Sequence, residues 1–304
     1  MNDAARRKVI GLSCWKSVVD PMPLHGGITN VNFVVADGGE KFVVRVGGDI
    51  PLHQVMRFNE LAASRAAHAA GISPEVTHWE PGALVLRFIE GKTFGAEDVR
   101  EPDNLERIVE LIRRVHRDMP KFLRGPALVF WVFHVLRDYA ATLRDGGSRM
   151  VPELPRLMDI TYVLERKIGS IDLVFGHNDL LSANFIDDGT RLWLVDWDYA
   201  GFNSPLFDLA NLASNNEFTP DMEERLLESY FEYAPDDEPL GRLREVMFDA
   251  QRRSYAAMKC ASLLREAMWS MVQEIRSELD FDYVAYTAEN LARFERAYKE
   301  LRYM

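Results

Sequence analysis

Between residues 177 and 197 the chain crowds acidic and amide oxygens into one polar stretch: His177-Asn178-Asp179-Leu180-Leu181-Ser182-Ala183-Asn184, followed by Val195-Asp196-Trp197. Phosphoryl transfer calls for such a set. One carboxylate sits beside an attacking hydroxyl, orients it and accepts its proton, while a second carboxylate and an amide oxygen hold Mg2+ against a nucleotide's phosphates. Asp179, Asp196 and Asn184 fit those three roles in that order. Taken singly, an Asp or Asn in a loop is more often a turn residue, because its side chain bonds nearby backbone. An ordered set of three, preceded in the chain by Arg45 and Glu60, is poorly explained by capping alone.

Two upstream features suit the same chemistry. Arg45 lies between Val44 and Val46 in an apolar run, where a positive charge needs an anionic partner; a phosphate and Glu60 are the candidates. The segment His25-Gly26-Gly27-Ile28-Thr29-Asn30 precedes the first β run, and its glycines would let backbone amides approach phosphate closely. A Gly-Gly pair alone is usually only a turn, and a lone strand arginine usually faces water.

The elements that must position these groups follow from periodicity. Residues 31–35 and 41–46 alternate as two strands around Asp37-Gly38-Gly39, a hairpin. Residues 51–70 carry apolar side chains at helical spacing, begin at a proline and stop at Gly71, which predicts one helix. Residues 76–79 and 83–89 form two more β runs around Glu80-Pro81-Gly82, and Glu90-Gly91 ends the pattern. Beyond it, residues 104–115, 128–143, 156–168, 221–233, 240–275 and 283–301 suit amphipathic helices. The exception is a short hairpin, residues 184–186 and 192–195 around Asp187-Asp188-Gly189, inside the chemistry-bearing stretch. The expected architecture is therefore α+β and bilobal: residues 1–90 a small β-rich lobe, residues 91–304 a larger, mainly helical one, with the site in the cleft between them.

Composition narrows the class. The 304 residues are 47% hydrophobic and 27% charged, the balance of a folded globular chain of roughly two lobes. The 36 Lys and Arg against 47 Asp and Glu give a net charge of −11. That field disfavours nucleic acid and anionic membranes and suits small cations. Cys14 and Cys260 make no disulfide framework or metal spacing. With no secretion signal among the first thirty residues and no apolar stretch long enough to span a bilayer, the expected location is cytoplasmic, without membrane insertion.

Together these residues resemble the choline/ethanolamine kinase branch of the aminoglycoside-phosphotransferase-like small-molecule kinases, over residues 26–294. The blocks that carry the resemblance are Gly26-Gly27-Ile28-Thr29-Asn30, Gly176-His177-Asn178-Asp179-Leu180-Leu181, and Val195-Asp196-Trp197-Asp198-Tyr199-Ala200-Gly201-Phe202-Asn203 running on to Phe207-Asp208-Leu209-Ala210-Asn211. The interval from Asp179 to Asn184 equals that of the protein-kinase catalytic loop, and Asp196 stands where that family has its metal-binding aspartate. The resemblance implies a protein-kinase-like bilobal fold and a kinase using ATP and Mg2+. In it, Asp179 is the base, Asn184 and Asp196 are the metal ligands, and Gly26, Gly27, Thr29 and Asn30 face the nucleotide. Arg45 contacts phosphates, Glu60 orients Arg45, Phe88 and Ile89 offer hinge backbone to adenine, and Asp208 supports the catalytic loop.

The family's ammonium site is built from aromatic faces and carboxylates, and Tyr199, Trp269, Tyr283 and Tyr286 are the candidates here. Each taken alone is more often a core aromatic. Two positions depart from the pattern: Glu266 stands where the family usually has a tryptophan, and Asn215 where it usually has a glutamate. Glu266 either adds a carboxylate to the acceptor pocket, favouring a primary ammonium, or pairs with Arg265 or a neighbouring helix. The expected substrate is choline or ethanolamine, a small cationic amino alcohol. Another alcohol such as thiamine or an aminoglycoside is the alternative, and a catalytically silent nucleotide-binding protein the less favoured one.

Overall fold

Strand β2 (Val31–Asp37) and strand β3 (Glu40–Val46) pair in register from Val31↔Val46 to Asp37↔Glu40. Gly38 and Gly39 close the turn at φ +60° and +83°, values glycine adopts freely and the ones a two-residue hairpin needs. In the computed structural model of the chain, which describes residues 3–24, 30–232, 241–277 and 279–303, this hairpin is the centre of a five-stranded antiparallel sheet. Strand β1 (Met22–Leu24) flanks β2, while β5 (Ala83–Arg87) and then β4 (Val76–Glu80) extend the other side, in the order β1-β2-β3-β5-β4. Phe33, Val35, Phe42, Val44, Ala83 and Val85 pack under helix α1 (Asp3–Ile10) to form a small core. Because side chains alternate along a strand, Arg45 faces away from that core and toward the cleft.

The helix expected over residues 51–70 is interrupted. Pro51–His53 is one tight turn, Gln54 sits at φ +59°, and Ile50 and Val55 bond reciprocally across the loop. Helix α2 (Arg57–Ala69) begins only after it and stops, as expected, before Gly71 at φ +69°. The loop inserts His53 and Val55 among buried groups of the larger lobe, and that burial outweighs helix continuity.

After strand β6 (Lys92–Thr93) and the short helix α3 (Ala96–Arg100) come helices α4 (Pro102–Asp118), α5 (Val132–Asp145) and α6 (Leu154–Ile168). The helix expected from residue 128 starts at Val132, because residues 128–130 run beside strand β10 (Gly201–Asn203), bonding to Phe202 through Leu128 O and Phe130 N. Strand β7 (Val174–Gly176) pairs with β10, and strands β8 (Phe185–Asp187) and β9 (Leu192–Leu194) form the expected hairpin against β6. Gly91 lets the chain cross that hairpin closely, since a Cβ there would lie 2.6 Å from Asp187 O. Helix α7 (Pro205–Asn215) is buried from Pro205 to Ser214 and so carries no exposed polar face for periodicity to detect. Helices α8 (Pro220–Phe231), α9 (Gly241–Arg276) and α10 (Tyr283–Leu301) complete the lobe, with α9 packing against α5, α6, α7 and α10.

Candidate active site

The loop after β7 is held by the N-terminal turn of α7. Asp208 accepts the backbone N–H groups of His177 at 2.8 Å and Asn178 at 2.7 Å, and its Oδ2 meets His116 Nε2 at 2.9 Å. Burial alone would push this carboxyl up, but the hydrogen bond and charge of His116, with His177, hold it below its ordinary range. One turn on, Asn211 Oδ1 accepts Leu180 N–H at 2.6 Å. Asn178, at φ +65°, donates to the carbonyls of Tyr199 and Gly201 and accepts from Asn203. His177 is buried, which pushes its pKa down. Its contact with Val195 O at 3.0 Å requires the proton on Nε2, leaving Nδ1 to accept Asp179 N–H.

This scaffold brings Asp179, Asn184 and Asp196 together. Asn184 Nδ2 donates to Asp179 O at 2.9 Å, and Asn184 O accepts Val195 N–H at 3.0 Å, one residue before Asp196. Asp196 sits at φ +72°. Arg45 Nη2 donates to its Oδ1 at 2.7 Å. Among the described residues no hydrogen bond reaches Asp196 Oδ2 or Asn184 Oδ1. These two hard oxygens fit Mg2+, which takes one or two carboxylates and completes its shell with water and phosphate oxygens.

Arg45 and Glu60 also meet as expected, Nε to Oε1 at 2.8 Å. Arg45 is held by more than that pair, because its Nη2 also reaches Asp198 Oδ1 at 2.9 Å. Arg57 joins from the first turn of α2, binding Glu60 Oε2 at 2.6 Å and Asp198 Oδ1 at 2.9 Å. Two guanidiniums thus face three carboxylates. Burial raises the Glu60 pKa against the opposing pull of Arg45. Asn30 spends its amide on Asp198, donating to Oδ2 at 2.9 Å. Gly26, Gly27 and Thr29 lie outside the described residues. Phe88 and Ile89 line a cavity of about 310 Å³ together with Pro74, Arg87, Asp188 and Trp193. The Phe88 N–H is taken by Lys41 O at 3.0 Å and is not open to a ligand.

On the other side of Asp179 lies a second charged cluster. Arg265, buried on α9, places Nη1 at 3.5 Å from both Asp179 Oδ1 and Glu266 Oε2. Burial, helped by Glu266, Asp196 and Asp198 and opposed by Arg265, pushes the Asp179 pKa up to about 7. Glu266 accepts from the Tyr286 hydroxyl at 2.9 Å. The Arg265 guanidinium carbon lies 4.5 Å from the Tyr199 ring centre and 5.9 Å from that of Phe130. Trp269 is flanked by Tyr283 at 6.2 Å and by His53 at 6.0 Å, and His53 Nδ1 meets Tyr139 OH at 3.0 Å. Tyr199, Trp269, Tyr283, Tyr286 and Glu266 therefore share one region, but the Tyr199 face is already covered by a cation. Asn215 donates to Asn211 Oδ1 at 3.2 Å. Arg265, Arg57, His53 and Tyr139 were not anticipated as site residues. For Arg265 a signal was present, since it stands four residues before Trp269 on one helix face.

The family model described as choline/ethanolamine kinase matches residues 22–295. Protein LicA of Haemophilus influenzae is 27% identical over 287 residues, covering 92% of this chain and 80% of its own. The probable ethanolamine kinase of Arabidopsis thaliana is 28% identical over 297 residues, covering 86% and 75%. The crystal structure of a choline/ethanolamine kinase family protein from Mesorhizobium loti superimposes with a TM-score of 0.73 at 27% identity, over 97% of this chain and 94% of the other. The bilobal kinase-like architecture is thus shared along nearly the full length.

Proposed function

Because this chain belongs to the choline/ethanolamine kinase family, we propose that it transfers the γ-phosphate of ATP to the hydroxyl of choline or ethanolamine with Mg2+, acting in the cytoplasm. The observation that carries the reading is the convergence of Asp179, Asn184 and Asp196 from one loop and the end of the hairpin after it, with Arg45 of the sheet, paired to Glu60 of α2, facing them.

In this reading residues 1–90 form the nucleotide lobe and residues 91–304 the catalytic and acceptor lobe. Adenine enters the cavity at Phe88 and Ile89, and Gly26, Gly27, Thr29 and Asn30 are assigned to phosphate binding. Asp196 Oδ2 and Asn184 Oδ1 are the oxygens that would hold Mg2+, which supplies charge neutralisation on the phosphates. Arg45, oriented by Glu60, adds positive charge on the same side. The acceptor lies among Glu266, Tyr286, Trp269, Tyr283 and Tyr199, with its hydroxyl beside Asp179. Asp179 orients that hydroxyl and takes its proton as the new O–P bond forms and the bond to ADP breaks. Asp208 acts on the loop rather than on substrate, through its two backbone hydrogen bonds.

The test is ADP release by the purified chain with choline and with ethanolamine, in the wild type and in Asp179→Ala. Turnover with either acceptor that disappears in the variant supports the reading. Turnover with neither, or an undiminished variant, overturns it.

A further inference from the structure

An aromatic face attracts a cation, and a trimethylammonium group, having no N–H to donate, depends on such faces. The Tyr199 face is covered by the Arg265 guanidinium at 4.5 Å, and Arg265 is 3% exposed, so the cover is internal and fixed. Trp269 is 6% exposed and wedged between His53 and Tyr283, itself 6% exposed. Tyr286 is part-buried, with Phe281 against its ring at 5.7 Å and its hydroxyl on Glu266, so what the region chiefly offers a cation is oxygen. Glu266, with about a quarter of its side chain open, turns its carboxylate beside Asp179, both carboxylates lying 3.5 Å from the same Nη1. A primary ammonium carries three donors for such oxygens; a quaternary one carries none.

We propose that Arg265 is a specificity-determining residue, which occupies the cation-binding face of Tyr199 and leaves Glu266 as the ammonium acceptor, so that the site takes amino alcohols with a hydrogen-bond-donating ammonium and disfavours quaternary ones. This rests on the kinase reading above. Arg265 is also a positioning residue for both carboxylates, since its buried charge lies between them and its conversion to leucine removes charge as well as volume.

The experiment compares kcat/KM for choline and ethanolamine in the wild type, Arg265→Leu, Arg265→Lys and Glu266→Gln, with thermal stabilisation by ATP confirming a folded nucleotide lobe. The wild type is expected to favour ethanolamine by about tenfold or more. Arg265→Leu is expected to shift the choline-to-ethanolamine ratio toward choline by about tenfold, and Arg265→Lys, which keeps the charge but not the planar group that stacks on Tyr199, to shift it in the same direction by less. Glu266→Gln tests the same idea in a variant that leaves Arg265 in place: KM for ethanolamine rises by more than KM for choline. A wild type that uses choline as well as ethanolamine, or a ratio unmoved in Arg265→Leu, overturns this inference and leaves the kinase reading standing. Absence of turnover with both acceptors in the wild type overturns both.

Discussion

Replacing Asp179 with Asn keeps the side chain's shape and removes its charge and basicity, which makes it the sharpest perturbation of the site. The Asp179 carboxyl is pushed up to about 7 from an ordinary 3.8, first by burial and then by Glu266, Asp196 and Asp198, against the pull of Arg265. In protein free of nucleotide and metal, about one-tenth of it is then ionised at pH 6 and about nine-tenths at pH 8. Carbon-13 NMR of the aspartate carboxyls should show one resonance titrating near neutrality, absent from Asp179→Asn. Turnover in the variant should fall by about 10²–10⁴-fold, the range general-base removal ordinarily gives. Nucleotide affinity should hold within a few-fold, because Asn184 contacts only the backbone carbonyl of residue 179 and the Arg45–Glu60–Asp196 contacts do not involve it. A carboxyl titrating below pH 5 would refute the burial argument, and a variant retaining more than about a tenth of wild-type turnover would refute the assignment of Asp179 as the base.

Three further outcomes follow from the same geometry. Asp196→Asn should weaken Mg2+-dependent nucleotide binding by at least about tenfold in a calorimetric titration, and should leave metal-free nucleotide binding less affected. His53 is buried and neutral, its pKa pushed down to about 4 by burial and by Arg265. Unfolded chain takes up that proton near pH 6.5, so the stability present above pH 6.5 is lost as pH falls toward 4, by about 3 kcal/mol; urea denaturation of His53→Gln should show a flatter slope across this window than wild type. Asp208→Asn places an amide where two backbone N–H groups and His116 need an acceptor, and should cost about 1–3 kcal/mol in denaturant unfolding while lowering kcat more than it raises KM for ATP.

The strand hairpins at residues 31–46 and 76–87 and the Gly71 helix stop were legible because each depends on neighbours a few residues away: alternation, a glycine at positive φ, a turn of two residues. The set Asp179, Asn184 and Asp196 was legible for a similar reason, since a loop and the hairpin after it bring them close within one short stretch of chain. Helix α7 was not, because a helix wrapped on every side by other elements has no polar stripe, and its Asp208 and Asn211 read as a motif without an element. The interruption at residues 51–56 escaped for the opposite reason: apolar spacing there suits a helix, and only burial of His53 and Val55 in the distant lobe breaks it.

Short-range sterics and residue type suffice to set the order of local elements and the identity of the oxygens around residue 179. Beyond the Arg45–Glu60 pair, it is packing that settles what each charge faces. Arg45 gained Asp196 and Asp198 as well as Glu60, Asn30 turned to Asp198, and Arg265 came to rest on Tyr199 between Asp179 and Glu266. A buried charge is settled by whichever opposite charges and ring faces the packing brings within a few ångströms, and apart from Glu266 these partners come from distant segments that only the folded backbone makes neighbours.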